Sequence, residues 1–257
     1  MRMLERIRDA DRCLVGTWVK IPALETVELL ARAGFDFIVI DMEHSPLSLE
    51  SAYRATVVAQ GLGVHVLVRV PDAGGSHLQR VLDMGVDGIL VPHVTGRADA
   101  ERAIGGMLFP PLGTRGLGTT SRAGAWGLDV TADYVRRGNE ETLRIPQIED
   151  MGALEDAEAI LDTPGLNAVF VGMGDLTLST GLPADDPDLR KHVDRLLGLA
   201  KARDLPVGTA VRDAAAARAA VERGYSYVMI SNDATIFGTA AAEIRRAAGT
   251  LPLRAEG

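Results

Sequence analysis

Cysteine is nearly absent from this chain of 257 residues. The single Cys13 excludes an intramolecular disulfide and a metal–thiolate cluster, and it points to a reducing compartment, with the cytoplasm as the expected location. No apolar run approaches the roughly 20 residues that a bilayer-spanning helix needs, and the N-terminal stretch MRMLERIRDADRC is too charged for a secretory h-region. Basic runs are missing too, beyond a short pair such as Arg136–Arg137. With a formal net charge of −8 and a pI of about 5.2, this argues against a nucleic-acid or anionic-membrane partner. No histidine or cysteine pair has the proximity of a structural zinc site, and the glycine-rich VGMGD and GLGTTSRAG lack the spacing of a dinucleotide loop or a P-loop. An acidic, soluble, small-molecule protein is what these absences leave.

What is present is a regular alternation. Hydrophobic residues make up 47% of the chain, and a chain of this size buries roughly three quarters of its unfolded surface. Eight β-rich runs occur at 14–21, 35–43, 65–70, 88–94, 143–149, 167–175, 205–211 and 225–233. Between them lie helical patterns such as ALETVELLARAG, SHLQRVLDMG and PDLRKHVDRLLGLAKARD, several ending in glycine. Nearly continuous apolar strands separated by crossover helices imply a parallel sheet covered by helices, and eight units in this length predict a (β/α)8 TIM barrel as one domain over 1–257. One interval breaks the rhythm, a Gly-, Thr- and Arg-rich loop over about 109–142. Its length marks it as a candidate lid or subunit contact, with a short helix in TADYVRRG.

Parallel barrels place their active sites at the carboxyl ends of the strands. Those ends carry Trp18 and Lys20; Asp41, Glu43 and His44; Arg69; His93; Gln147 and Glu149; Asp175; Val211; and Ser231, Asn232 and Asp233. Glu149 and Asp175 each fit a helix cap, but two carboxylates at neighbouring strand ends, with Gln147 on the face of Glu149, also suit Mg²⁺ or Mn²⁺. Arg69 closes the apolar run VLVRVP and needs an anion. That anion is either Asp41 or Glu43 in a structural pair, or a substrate carboxylate or enolate oxygen. His44 is either a loop histidine or an imidazole whose tautomer Asp41 fixes. His93 is a minor candidate beside Pro92. Gly172 and Gly174 allow backbone N–H groups to approach an anion.

In combination, VGTWVKIPALETVELLARAGFDFIVIDMEHSP, VRVP, LVPHV, FPPLGTRGLG, PQIED and VFVGMGDLT resemble the HpcH/HpaI family of class II, metal-dependent pyruvate aldolases over nearly the whole chain. The resemblance implies a (β/α)8 barrel, commonly a homohexamer, that reversibly cleaves 4-hydroxy-2-oxo acids to pyruvate and an aldehyde via a metal-bound pyruvate enolate. It implies Glu149 and Asp175 as ligands of Mg²⁺, Mn²⁺ or Co²⁺, and His44 with Asp41 as the acid–base pair. Arg69 becomes the enolate stabiliser, Gln147 and the backbone of Gly172–Asp175 the pyruvate site, and Trp18 and Val211 the aldehyde pocket. Asp83 matches an acid that supports the site across a subunit contact, and Glu43 is expected to hold a metal water or Arg69. Two departures stand out, GMGD where the family commonly has GPAD and DMEH where it has DGEH. Apart from Lys20, no lysine sits convincingly at a strand end, which disfavours a Schiff-base aldolase. The rival readings are an oxaloacetate decarboxylase or citrate-lyase-like C–C lyase, and a noncatalytic 2-oxo acid sensor.

Overall fold

A computed structural model describes residues 2–9 and 12–249. Eight parallel strands close a barrel in sequence order: β1 (Leu14–Val19), β2 (Phe37–Asp41), β3 (His65–Arg69), β4 (Gly88–Val91), β5 (Leu143–Ile148), β6 (Val169–Val171), β7 (Val207–Val211) and β8 (Tyr227–Asn232). The helices are α1 (Met3–Asp9), α2 (Leu24–Arg32), α3 (Leu49–Gly61), α4 (Gly75–Asp83), α5 (Arg97–Met107) and α6 (Thr131–Glu140). After β5 come α7 (Met151–Glu155), α8 (Ala157–Leu161), α9 (Met173–Thr180), α10 (Pro187–Ala202), α11 (Ala214–Arg223) and α12 (Asp233–Ala248). The expected (β/α)8 barrel is the fold.

Strand alternation divides the apolar residues between two cores. Trp18, Phe37, Val39, Leu67, Leu90, Ile145, Phe170, Tyr227 and Met229 fill the barrel interior, and Met3, Leu4 and Ile7 of α1 join them. The intervening residues, such as Ile38, Ile40, Val66, Val68, Ile89, Val169 and Val171, pack outward against the helices. Glycine makes room for the largest rings: a Cβ on Gly208 would lie 2.1 Å from the ring of Tyr227.

Several boundaries differ from the sequence pattern. The apolar run at 167–175 is a strand only over Val169–Val171, because Gly172 caps α9 and the chain turns helical at Met173. ALEDAEAILD forms two short helices that meet at Asp156. The loop at 109–142 carries α6 where TADYVRRG predicted a helix, preceded by a 3-10 turn at Arg122–Gly127. Helix α12 stands apart: of its residues only Asp233 is buried, leaving Ile236, Phe237 and Ile244 exposed. An apolar groove lined by Cys13, Val15, Val221, Val228 and Ile230 runs along the outside of β1 and β8.

Candidate active site

The inward-facing series of each strand turns from apolar to polar at the carboxyl end. After Phe37 and Val39 comes Asp41, and after Leu67 comes Arg69, directly opposite it in the β2–β3 register. Asp41 is fully buried, so its charge must be compensated inside the protein. Arg69 donates Nε–H to Oδ1 at 2.9 Å and an Nη2 hydrogen to Oδ2 at 2.8 Å. Lys20, at the end of β1, adds its ammonium to Oδ2, and the backbone N–H groups of Glu43 and His44 both donate to Oδ1 at 3.2 Å. Burial opposes ionisation of Asp41, but the Arg69 guanidinium, Lys20 and the His44 N–H outweigh it and hold the carboxyl down at about 2.

These contacts revise the pairing expected for His44. Its backbone, not its ring, meets Asp41; the imidazole is 59% exposed and its Nε2 lies 3.7 Å from Glu43 Oε2. Five donors already surround Asp41, which leaves no lone pair aimed at the ring.

Glu43 instead joins a second line of charge. Its Oε2 is 3.1 Å from Arg69 Nη1, and its Oε1 is 2.8 Å from His93 Nε2. His93 then contacts Glu149 Oε1 twice, with Nδ1 at 3.1 Å and by donation from its backbone N–H at 2.7 Å. Gln147 donates its amide N–H to Glu149 Oε2. The Arg69 guanidinium carbon lies 4.4 Å from the centroid of the Trp18 ring, and Trp18 meets Phe170 edge-on at 6.2 Å. A cation–π contact therefore supports the arginine from the barrel floor.

Glu149 is buried, and its carboxyl is pushed up by that burial, with the charges of Asp175 and Glu43 adding to the effect against His93. Asp175, in the first turn of α9, is exposed beside it. Gly172 fits because a Cβ there would stand 3.1 Å from both Gln147 Nε2 and Glu149 Cβ. Its own N–H donates to the Ile148 carbonyl, so it offers nothing to a ligand. The unpaired amides at this point are those of the first turn of α9, which includes Gly174.

Two expected positions stand outside this cluster, Val211 by strand phase and Asp83 in the helix layer, from which it was expected to act across a subunit contact. Val211 packs with the outer core, and alternation puts the exposed Ala210 on the mouth side with Gly208. Asp83 ends α4 and accepts from Arg115 Nη2 at 3.1 Å and the Tyr134 hydroxyl at 3.3 Å, fastening the long loop to the helix layer.

The family model described as HpcH/HpaI aldolase/citrate lyase matches residues 14–240. The chain belongs to this family. It is 31% identical over 233 residues to the 2-dehydro-3,6-dideoxy-6-sulfogluconate aldolase of Pseudomonas putida, covering 90% of each chain. A 5-keto-4-deoxy-D-glucarate aldolase of Escherichia coli is likewise 31% identical, again over 90% of each. The crystal structure of a HpcH/HpaI aldolase/citrate lyase family protein from Burkholderia cenocepacia matches with a TM-score of 0.89 at 30% identity, covering 96% of this chain and 99% of that one. As an HpcH/HpaI protein the chain is a carbon–carbon lyase.

The mouth of this HpcH/HpaI barrel has the donor chemistry for a hard divalent cation. Burial and the neighbouring Asp175 charge both oppose ionisation of Glu149, a conflict that a cation resolves, and the buried Gln147 Oε1 has no hydrogen-bond partner. Among the described residues no group of three His, Cys, Asp or Glu side chains is arranged to hold a metal, so this pair would leave most of the coordination sphere to water and substrate. Two features went unread in the sequence: the Lys20–Asp41 contact, and the buried Asp233, which accepts from the N–H groups of Lys20 at 2.9 Å and Ile21 at 3.0 Å. Asp233 was legible as an acid at a strand end; its service to β1 depends on barrel closure.

Proposed function

We propose that this enzyme reversibly cleaves 4-hydroxy-2-oxo acids into pyruvate and an aldehyde, with Glu149 and Asp175 holding Mg²⁺, Mn²⁺ or Co²⁺. The observation that carries the proposal is the buried Arg69, fixed by Asp41, Glu43 and Trp18 and linked through Glu43 and His93 to Glu149, whose ionisation is opposed by burial and by the charge of Asp175. When bound, the divalent ion supplies Lewis acidity toward the 2-oxo acid. Arg69 places positive charge where the enolate oxygen develops, and its fixed geometry removes the cost of reorientation. The first-turn N–H groups of α9 receive the pyruvate carboxylate, and Gln147 lines the same site. His44 takes the proton from the C4 hydroxyl as the C3–C4 bond breaks; its exposed imidazole is free to turn toward the substrate, and Glu43 lies near enough to orient it. In addition, Trp18 bounds the pocket from the floor and Ala210 takes the role expected of Val211 at the aldehyde end.

The relatives named as sugar-acid aldolases support this substrate class, and the lone Cys13 suits a reducing cytoplasm. A homo-oligomer, a hexamer by the family resemblance, is supported by the exposed apolar residues of α12 and the uncovered groove along β1 and β8. Assay of pyruvate with a panel of aldehydes, each with Mg²⁺, Mn²⁺ and Co²⁺, tests the activity. Folded Glu149→Ala and Asp175→Ala proteins are expected to lose metal-dependent turnover, and retention of it would remove the site.

A further inference from the structure

His93 follows β4 with φ at 57°, a left-handed conformation that a non-glycine residue holds only where its surroundings demand it. The turn achieves two things at once. It directs the backbone N–H at Glu149 Oε1, 2.7 Å away, and it brings imidazole Nδ1 to 3.1 Å from that same oxygen. The other ring nitrogen, Nε2, is 2.8 Å from Glu43 Oε1. Since 67% of the side chain is exposed, packing does not fix the ring; the two carboxylates do. Glu43 in turn meets Arg69 at 3.1 Å, so one continuous line of ionisable side chains runs Arg69–Glu43–His93–Glu149.

We propose that His93 is a positioning residue of this active site. Its imidazole clamps Glu149 to Glu43, fixing the orientation in which Glu149 meets a divalent cation and coupling that orientation to Arg69. The inference rests on the metal reading of Glu149 and Asp175. Partners that orient a metal-ligating group typically change affinity by about 10–100-fold when removed. An exposed histidine with no role, or one that competes with the metal for Glu149, predicts a different outcome.

The two alternatives separate in a titration of the full chain with Mn²⁺, read by the electron paramagnetic resonance of the free ion, alongside thermal melts. His93→Gly removes the ring, keeps the backbone N–H and suits the left-handed φ, so folding is not stressed. It is expected to melt no lower than the unmodified protein while binding Mn²⁺ about tenfold or more weakly. A merely structural residue would move both readouts together. His93→Asn tolerates the same backbone and returns an amide N–H toward Glu149, so its affinity should recover to within about threefold of the unmodified protein. Unchanged affinity in His93→Gly overturns the proposal, and tighter binding does so in favour of competition. Failure of the unmodified protein to bind Mn²⁺ instead refutes the metal reading itself.

Discussion

Asp41→Asn isolates the most heavily used charge in the barrel. The substitution keeps the shape of a fully buried side chain, but it leaves the Arg69 guanidinium and the Lys20 ammonium facing an amide. Removing one partner of a buried ion pair costs about 3–5 kcal/mol. The depressed carboxyl gives an independent figure: from the ordinary 3.8 to about 2 is worth about 2 kcal/mol of stability. A loss of about 2–4 kcal/mol in urea unfolding at pH 7 is therefore expected. Because the folded-state value is lowered, the stabilisation is complete above the ordinary carboxylate range and disappears as pH falls through about 2. The gap between the two proteins should thus hold from about pH 8 to 5 and narrow from about pH 4 downward. Turnover should fall by about 100-fold or more, because Arg69 loses the bidentate carboxylate that aims it and keeps at most one bond, to an amide oxygen. A gap below about 1 kcal/mol, or one independent of pH down to the acid limit, would refute the electrostatic account of Asp41.

Four further substitutions address other groups. His44→Ala should reduce cleavage by about 100-fold or more while pyruvate binding, measured by calorimetry in the presence of metal, is retained; full turnover would remove His44 as the base. Ala210→Leu should narrow the aldehyde range with little change in melting temperature. Val211→Ala should lower stability by about 1 kcal/mol and leave aldehyde preference alone, and the reverse pattern would contradict the inward–outward assignment of β7. Gly172→Ala drives a methyl to 3.1 Å from Gln147 Nε2 and Glu149 Cβ, so Mn²⁺ affinity should fall by about tenfold, and unchanged affinity would show that the metal site accommodates it freely.

The barrel was legible because two periodicities suffice to read it: strand-length apolar runs and helix-length amphipathic segments alternate eight times. Polar residues at the strand ends were legible for the same reason, since direction in a parallel barrel tells which end is the mouth. What stayed hidden was decided by phase and by closure. Val211 and Ala210 differ by one residue, yet that step separates the helix layer from the mouth. The run VFVGMGD reads as one strand until Gly172 is seen to cap a helix, which moves Asp175 from a strand end into the first turn of α9.

The pairing of Asp41 shows why nearness in sequence misleads about chemistry. His44 is three residues away, but the chain bends after β2, and in the bend it is the backbone N–H of His44 that turns back toward the carboxylate. The side chains that reach Asp41 come from neighbouring strands, Arg69 by register from β3 and Lys20 from the end of β1. With Asp41 committed to holding Arg69, the carboxylate at hand for the His44 imidazole is Glu43. The two acids of DMEH thus divide the work: the buried one fixes the cation, and Glu43 stands between Arg69 and the two histidines. Removing Glu43 should therefore disturb both histidines at once, whereas removing Asp41 should act chiefly through Arg69. Comparing Glu43→Gln with Asp41→Asn distinguishes these routes, because only the former should weaken Mn²⁺ binding by about tenfold while leaving global stability within about 1 kcal/mol of the unmodified protein.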